Sequence, residues 1–221
     1  MMKIINIALD GPSGSGKSTL AKGLSEKLNI LYLDTGAMYR AAACKALSLD
    51  IDTLDEKGVA SFIDGIDLEI RYIDGAQHTF LDKKDVSLRI REPEVSMAAS
   101  NISSLKCVRL KMVEMQRAIA KSMSCILDGR DIGSFVLPDA KYKFYITAAP
   151  EVRTARRKAE LESRGFKVNF DELLKEIEQR DYNDKHRDFA PLVQAEDAVY
   201  IDTSDMSAQE VLERILSYIK R

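Results

Sequence analysis

The sequence predicts an α/β fold, a parallel sheet covered by helices on both faces, and three observations predict it. Apolar runs of strand length alternate with amphipathic stretches of helix length along most of the chain. The first apolar run leads directly into Gly11-Pro12-Ser13-Gly14-Ser15-Gly16-Lys17-Ser18, a glycine-rich loop of the form Gly-x4-Gly-Lys-Ser/Thr, whose place is between a strand and a helix. Only one stretch, residues 66–90, breaks the alternation with a period-two pattern.

Taken in order, Ile4–Leu9, Leu31–Leu33, Ser124–Leu127, Tyr142–Thr147 and Val199–Asp202 read as buried strands, because each is a short apolar run bounded by polar or turn residues. Helix starts are signalled by Thr53-x-x-Glu56, Asn169-x-x-Glu172 and Ser207-x-x-Glu210, which have the form of capping boxes. Pro93 and Pro150 suit first helical positions, where the missing N–H costs nothing. A further helix is expected to begin near Ala37. In the exceptional stretch, Leu68–Ile73 and His78–Leu81 flank Asp74-Gly75, a hairpin turn signal, so a small antiparallel insertion is expected. No repeat or Pro-rich linker divides the chain, and residues 1–221 read as one domain carrying that insertion.

Composition narrows the classes of function. Basic and acidic side chains number 33 and 35, for a net charge of −2, which gives no electrostatic footprint for nucleic acid or a membrane surface. Any cationic site must therefore be local and assembled by folding. The start Met-Met-Lys-Ile-Ile-Asn has no basic region followed by a long apolar stretch, so a cytoplasmic protein is expected. Cys44, Cys107 and Cys125 are odd in number and lack Cys-x2-Cys spacing, which argues for packing roles rather than disulfides or a zinc site.

The glycine-rich loop carries the clearest chemistry. Glycines let successive N–H groups turn toward one anion, and the helix that follows adds the positive end of its dipole. Gly11 through Thr19 are thus the candidate triphosphate cradle, with Lys17 reaching the β- and γ-phosphates and the Ser18 hydroxyl ligating Mg2+. Asp34-Thr35-Gly36 follows the second strand on the same edge of the sheet. Alone it is weak evidence and reads first as an ordinary turn before a helix; Arg40 one helical turn later strengthens the site reading. Asp128-Gly129-Arg130-Asp131 ends the third strand and offers a carboxylate for Mg2+ waters beside a guanidinium fork for phosphate.

Two basic clusters lie farther along. Arg153, Arg156 and Arg157, at i, i+3 and i+4, share one helix face, which is either a solvated face paired with Glu160 and Glu162 or a set of cations that closes over a transferring phosphoryl group. Arg180, Asp184 and Arg187 repeat at i, i+4 and i+7 on a helix expected to run up to Pro191, with simple intrahelical ion pairing as the alternative. His78 and His186 have neither metal spacing nor a nucleophile nearby and read as surface residues.

Together, Asp10-Gly-Pro-Ser-Gly-Ser-Gly-Lys-Ser, Leu33-Asp-Thr-Gly-Ala-Met-Tyr-Arg40, Ala98-Ala-Ser-Asn101 with Val108-Arg109, Asp128-Gly-Arg-Asp131 and Arg180-Asp-x-x-Asp-x-x-Arg187 resemble the bacterial cytidylate kinase family, in order from about residue 4 to 215. The resemblance implies a P-loop NTPase fold with a five-stranded parallel sheet, a nucleoside monophosphate-binding insertion at about 63–102 and a short lid at about 151–187, the core being about 1–62, 103–150 and 188–221. It implies reversible transfer of the γ-phosphoryl group of ATP to CMP or dCMP by a monomer, with Mg2+ as cofactor. Ser100, Arg109 and Asp131 would read cytosine; Arg40, Arg130 and Arg187 would clamp the acceptor phosphate; Arg180 and Asp184 would hold the sugar; Arg153, Arg156 and Arg157 match the lid. Lys17, Arg130, Arg153, Arg157 and Arg187 would thus act on the phosphoryl group, and Asp34 or Asp128 would order Mg2+ waters. Thr35 departs from the family, which often has Ser there; the hydroxyl is kept and a methyl is added.

No strong general base is needed, because positioning and charge neutralisation carry most of this reaction class. Two other readings stand beside this one. A phosphate-loop kinase for a different nucleotide or a shikimate-like metabolite would share the donor half of the site, and a nucleotide-triggered switch would bind a triphosphate without transferring it. No Asn-Lys-x-Asp guanine-reading segment supports the switch.

Overall fold

The strands form where the apolar runs fall. The structure, a computed structural model, describes residues 4–219. Along the chain run β1 (Asn6–Asp10), α1 (Lys17–Leu28), β2 (Leu31–Asp34), α2 (Thr35–Ser48), α3 (Glu56–Ile63), β3 (Leu68–Ile73), β4 (Ala76–Leu81), β5 (Lys84–Asp85), a 3-10 turn (Arg89–Arg91), α4 (Pro93–Ile102), α5 (Lys106–Ser122), β6 (Cys125–Gly129), a single π turn (Ile132–Val136), β7 (Tyr142–Thr147), α6 (Pro150–Ser163), α7 (Phe170–His186), β8 (Val199–Asp202) and α8 (Ala208–Ile219). The chain divides into two compact units, residues 1–32 with 124–221, and residues 33–123.

The first unit is organised by a five-stranded parallel sheet of order β2-β6-β1-β7-β8, accompanied by helices as the sequence predicts. Alternate residues Ile7 and Leu9, with Ile126, Phe144, Ile146 and Ile201, point to one face, where Leu20, Ala21 and Leu24 of α1 and Val211, Leu212 and Ile215 of α8 bury them. The register aligns Asp10 with Gly129 on one side and with Tyr145 on the other, so the loops after β1, β6 and β7 leave the same edge. Gly11 makes the exit from β1 possible: its φ is +142°, and a Cβ there would lie 1.9 Å from the Ile146 carbonyl oxygen.

The second unit packs α2 against α4 and α5, and α3 against α5, with a separate antiparallel sheet β3-β4-β5. Asp74 and Gly75, at φ 51° and 77°, form the expected hairpin turn. A second tight turn, which no glycine announces, is made by Asp82 and Lys83 at φ 48° and 66° and adds the two-residue β5. Asp tolerates this conformation through local polar contacts, so composition alone missed the third strand.

Capping follows the sequence at two of three predicted boxes. Asn169 accepts from the N–H groups of Asp171 and Glu172, and Ser207 and Glu210 bond each other reciprocally. The third is corrected: α3 is capped by Asp55, which accepts from Lys57 N, while Thr53 is buried and accepts from Asn101 Nδ2 at 3.3 Å. Two helix boundaries also differ. Helix α2 begins at Thr35 rather than near Ala37, because Asp34 caps it by accepting from Ala37 N. Helix α7 ends at His186, five residues before Pro191, where Arg187 turns extended at ψ 143° and Leu192 N bonds the Asp184 carbonyl. Among the described residues no helix is long and apolar enough to cross a membrane.

Candidate active site

In the first unit the loop between β1 and α1 is built as an anion cradle. Gly16, at φ 91°, precedes α1 and brings no side chain to cap its first turn, where N–H groups without an intrahelical partner favour an anion. The Lys17 ammonium is buried and donates to the Pro12 carbonyl at 2.6 Å and to Ser15 Oγ at 3.2 Å. Burial, aided by the nearby Arg130, lowers its pKa to about 7 against the pull of Asp128 and Asp10. Ser18 and Thr19 are exposed, and Ser18 Oγ donates to Asp128 Oδ2 at 2.7 Å, while Tyr32 OH donates to Asp128 Oδ1 at 3.2 Å.

The end of β6 meets the end of α7. Arg130 Nε donates to Asp184 Oδ2 at 2.8 Å, and Arg187 approaches Asp131 at 3.5 Å and Asp184 at 3.8 Å. Burial would raise the Asp184 carboxyl, but the guanidiniums of Arg130, Arg180 and Arg187 outweigh it and hold the pKa below the ordinary range. Arg187 is fixed by donating Nε–H to the Ala190 carbonyl at 2.6 Å. Arg130, Asp131, Arg180, Asp184 and Arg187, scattered over some sixty residues of sequence, thus form one charged network.

The three arginines of α6 do not stay together. Arg153 is 3% exposed and donates to the carbonyls of Ala148 and Ser13 while pairing with Asp181 at 2.6 Å. Arg156 binds the side chain and carbonyl of Thr203, and Arg157 pairs with Glu160 at 2.7 Å. A shared helix face sets only the Cβ directions; each long side chain then reaches its own nearest acceptor.

In the second unit Asp34 is the organising group. Its carboxylate caps α2 and pairs with Arg40 at 2.9 Å and Arg91 at 3.1 Å. Burial favours a raised pKa, but these two guanidiniums and the Ala37 N–H lower it. Gln77 of β4 clasps the same residue, accepting from Asp34 N at 2.8 Å and donating to its carbonyl at 3.4 Å. Thr35 is buried at the start of α2, and Ser100 is half-buried on α4. Arg109 is 1% exposed, with its guanidinium 5.5 Å from the Tyr39 ring centroid and a bond to the Ser103 carbonyl.

Sequence reasoning gave no role to Asp10, Gln77, Arg91, Asp181 or Thr203. Asp10 carried a usable signal, a carboxylate closing an apolar strand beside the phosphate loop; burial raises its pKa to about 6. The others become visible only when distant segments meet. His78 pairs with Asp85, and His186 stacks on Tyr182, in keeping with their surface reading.

Comparison with known proteins gives the following. The family model described as Cytidylate kinase matches residues 7–221. The protein named Cytidylate kinase from Caldicellulosiruptor bescii is 48% identical over 215 residues, covering 97% of this chain and 95% of that one. Those of Clostridioides difficile and Halalkalibacterium halodurans are 47% and 43% identical over 213 and 219 residues, covering 96% and 99% of this chain and 97% and 99% of theirs. A crystal structure of an uncharacterized protein from Eubacterium ventriosum superposes with a TM-score of 0.52 at 16% identity, covering 98% of each chain, a likeness of fold alone.

Proposed function

The chain belongs to the cytidylate kinase family, and we propose that it transfers the γ-phosphoryl group of ATP reversibly to CMP or dCMP, giving ADP and CDP or dCDP. The observation that carries this reading is the Arg130–Asp184–Arg187–Asp131 network, whose two carboxylates are buried, in the unit that also holds the phosphate loop. The loop accounts for a triphosphate donor, and the network supplies an acceptor site with cations for a phosphate and carboxylates for a sugar and a base.

In this reading the loop N–H groups and Lys17 hold the donor's phosphates, and Arg157 with Arg153 of a lid at about 151–187 guards the transferring group. Arg40, Arg130 and Arg187 clamp the acceptor phosphate, Arg180 and Asp184 hold the sugar, and Asp131 with Ser100 and Arg109 reads the base. Thr35 belongs to the same acceptor set, and the segment at about 63–102 is the nucleoside monophosphate-binding insertion of this reading. A carboxylate at Asp131 accepts from the exocyclic amine of cytosine, whereas uracil presents an acceptor to an acceptor. Leaving that group unpaired costs about 1–3 kcal/mol, enough to select cytosine.

Ser18 and Asp128 offer hydroxyl and carboxylate oxygens at hydrogen-bond distance, the hard donor chemistry that Mg2+ takes. Ser18 would hold the ion directly and Asp128 through water; Asp34 is the weaker candidate, since its carboxylate is engaged by Arg40, Arg91 and Ala37 N. Bound Mg2+ would neutralise charge on the β- and γ-phosphates. ADP formation measured with ATP and each nucleoside monophosphate tests the proposal. CMP and dCMP should be the preferred acceptors; turnover with shikimate but not CMP, or tight ATP binding with no transfer to any monophosphate, would overturn it.

A further inference from the structure

Asp131 stands at the cap position of the π turn Ile132–Val136, yet its side chain does not cap that turn. An Asp at such a position ordinarily accepts from the amides ahead of it. Here the first two amides of the turn, Gly133 N among them, are satisfied from another strand. Asp10, the last residue of β1 and only 5% exposed, accepts from Ile132 N with Oδ1 and from Gly133 N with Oδ2, both at 2.7 Å. The Asp131 carboxylate instead lies 3.5 Å from Arg187, while its carbonyl accepts from Phe135 N and Val136 N.

Two features mark this as a built arrangement. Both oxygens of Asp10 are used at the same short distance, which only a carboxylate can do against two donors; an amide in its place would turn an NH2 toward one of the N–H groups. Gly133 permits the approach, since a Cβ there would stand 3.3 Å from Asp10 Oδ2 and 3.1 Å from Lys143 Cδ.

We propose that Asp10 is a positioning residue for base selection: by capping the Ile132–Gly133 amides in place of Asp131, it fixes the direction in which the Asp131 carboxylate meets the base. The inference rests on the reading of Asp131 as the group that recognises cytosine. It assigns Asp10 no contact with substrate, only control of the group that makes one.

The test is kcat/KM for CMP and for UMP in the wild type and in Asp10→Asn, Asp131→Asn and the double variant, with the fold checked by thermal denaturation. Asp10→Asn should lower the CMP-to-UMP ratio by about 10-fold or more, with KM for ATP moving much less. In the Asp131→Asn background the same change should add no further loss of selectivity. Proportional losses for CMP and UMP would overturn the proposal and leave Asp10 a structural cap. If Asp131→Asn relaxes selectivity and Asp10→Asn does not, Asp131 keeps its role and only the inference about Asp10 falls. An unchanged ratio in Asp131→Asn sinks the reading of Asp131 and the inference with it. Should Asp10→Asn fail to fold, Gly133→Ala, which crowds the same carboxylate, must show the selectivity loss in smaller degree; an unaltered ratio there also overturns the proposal.

Discussion

Replacing Asp184 with Asn keeps the shape of the side chain and removes its charge. Asp184 is buried; its Oδ2 takes the Arg130 Nε–H at 2.8 Å, and Arg187 lies 3.8 Å away. Removing one partner of a buried ion pair costs about 3–5 kcal/mol, because the remaining charge keeps its desolvation penalty. The Arg130 side chain is 18% exposed and Arg187 retains Asp131 at 3.5 Å, so the lower end, about 3 kcal/mol, applies. For a chain of this size each kcal/mol moves Tm by about 2–4 °C, which gives a fall of about 6–12 °C at pH 7. The pH dependence has a definite sign. The folded carboxyl titrates below its unfolded value near 4, so its stabilisation is full above that value and disappears as pH falls through the folded pKa. The Tm gap between wild type and variant should therefore hold from pH 7 to 5 and narrow below 4. A loss under about 2 °C at pH 7, measured by circular dichroism, would refute this account of the network.

Lys17→Ala should lower kcat by about a hundredfold or more while the protein still folds, and near-normal turnover would count against its role on the phosphates. Arg153→Ala and Arg157→Ala should separate: the first strips the partner from Asp181 and releases the Ser13 carbonyl, lowering Tm as well as kcat. The second breaks a partly exposed pair with Glu160 and should slow kcat while moving Tm by no more than about 2 °C; equal Tm losses in both would show that burial does not distinguish them. Asp10, with its carboxyl raised to about 6 by burial, should make the wild type gain stability relative to Asp10→Asn as pH falls from 7 to 5, by at most about 1.4 kcal/mol per pH unit. The sign follows because the folded state takes up a proton that the unfolded state still releases. A difference that stays flat across that range would be inconsistent with the shifted carboxyl.

The stretches that alternate between apolar runs and amphipathic helices were legible because their signal is local. β7 and β8 fall on the predicted residues, and the Pro93 and Pro150 helix starts do as well, since each depends on side-chain pattern or on a missing N–H within one turn. The phosphate loop was legible for the same reason, its glycines being required by the backbone at that spot. What escaped was either a local competition between two similar groups, as when Asp55 displaced Thr53 as the cap of α3, or a meeting of distant segments. The helical spacing of Arg153, Arg156 and Arg157 correctly placed their backbones and said nothing of their destinations.

By itself, then, the sequence determined the five strands of the parallel sheet, the first hairpin, the phosphate loop and the family to which the chain belongs, because these are written in contiguous residues. Only the tertiary structure decided that Asp10 caps the turn beyond Asp131, that Asp34 is held by two arginines and a glutamine, and that Arg153 is a buried strut. Charged side chains are long, rotatable and strongly attracted to whichever opposite charge or backbone dipole folding brings near, so their partners are settled by the packing of the sheet and helices rather than by their own neighbours in sequence.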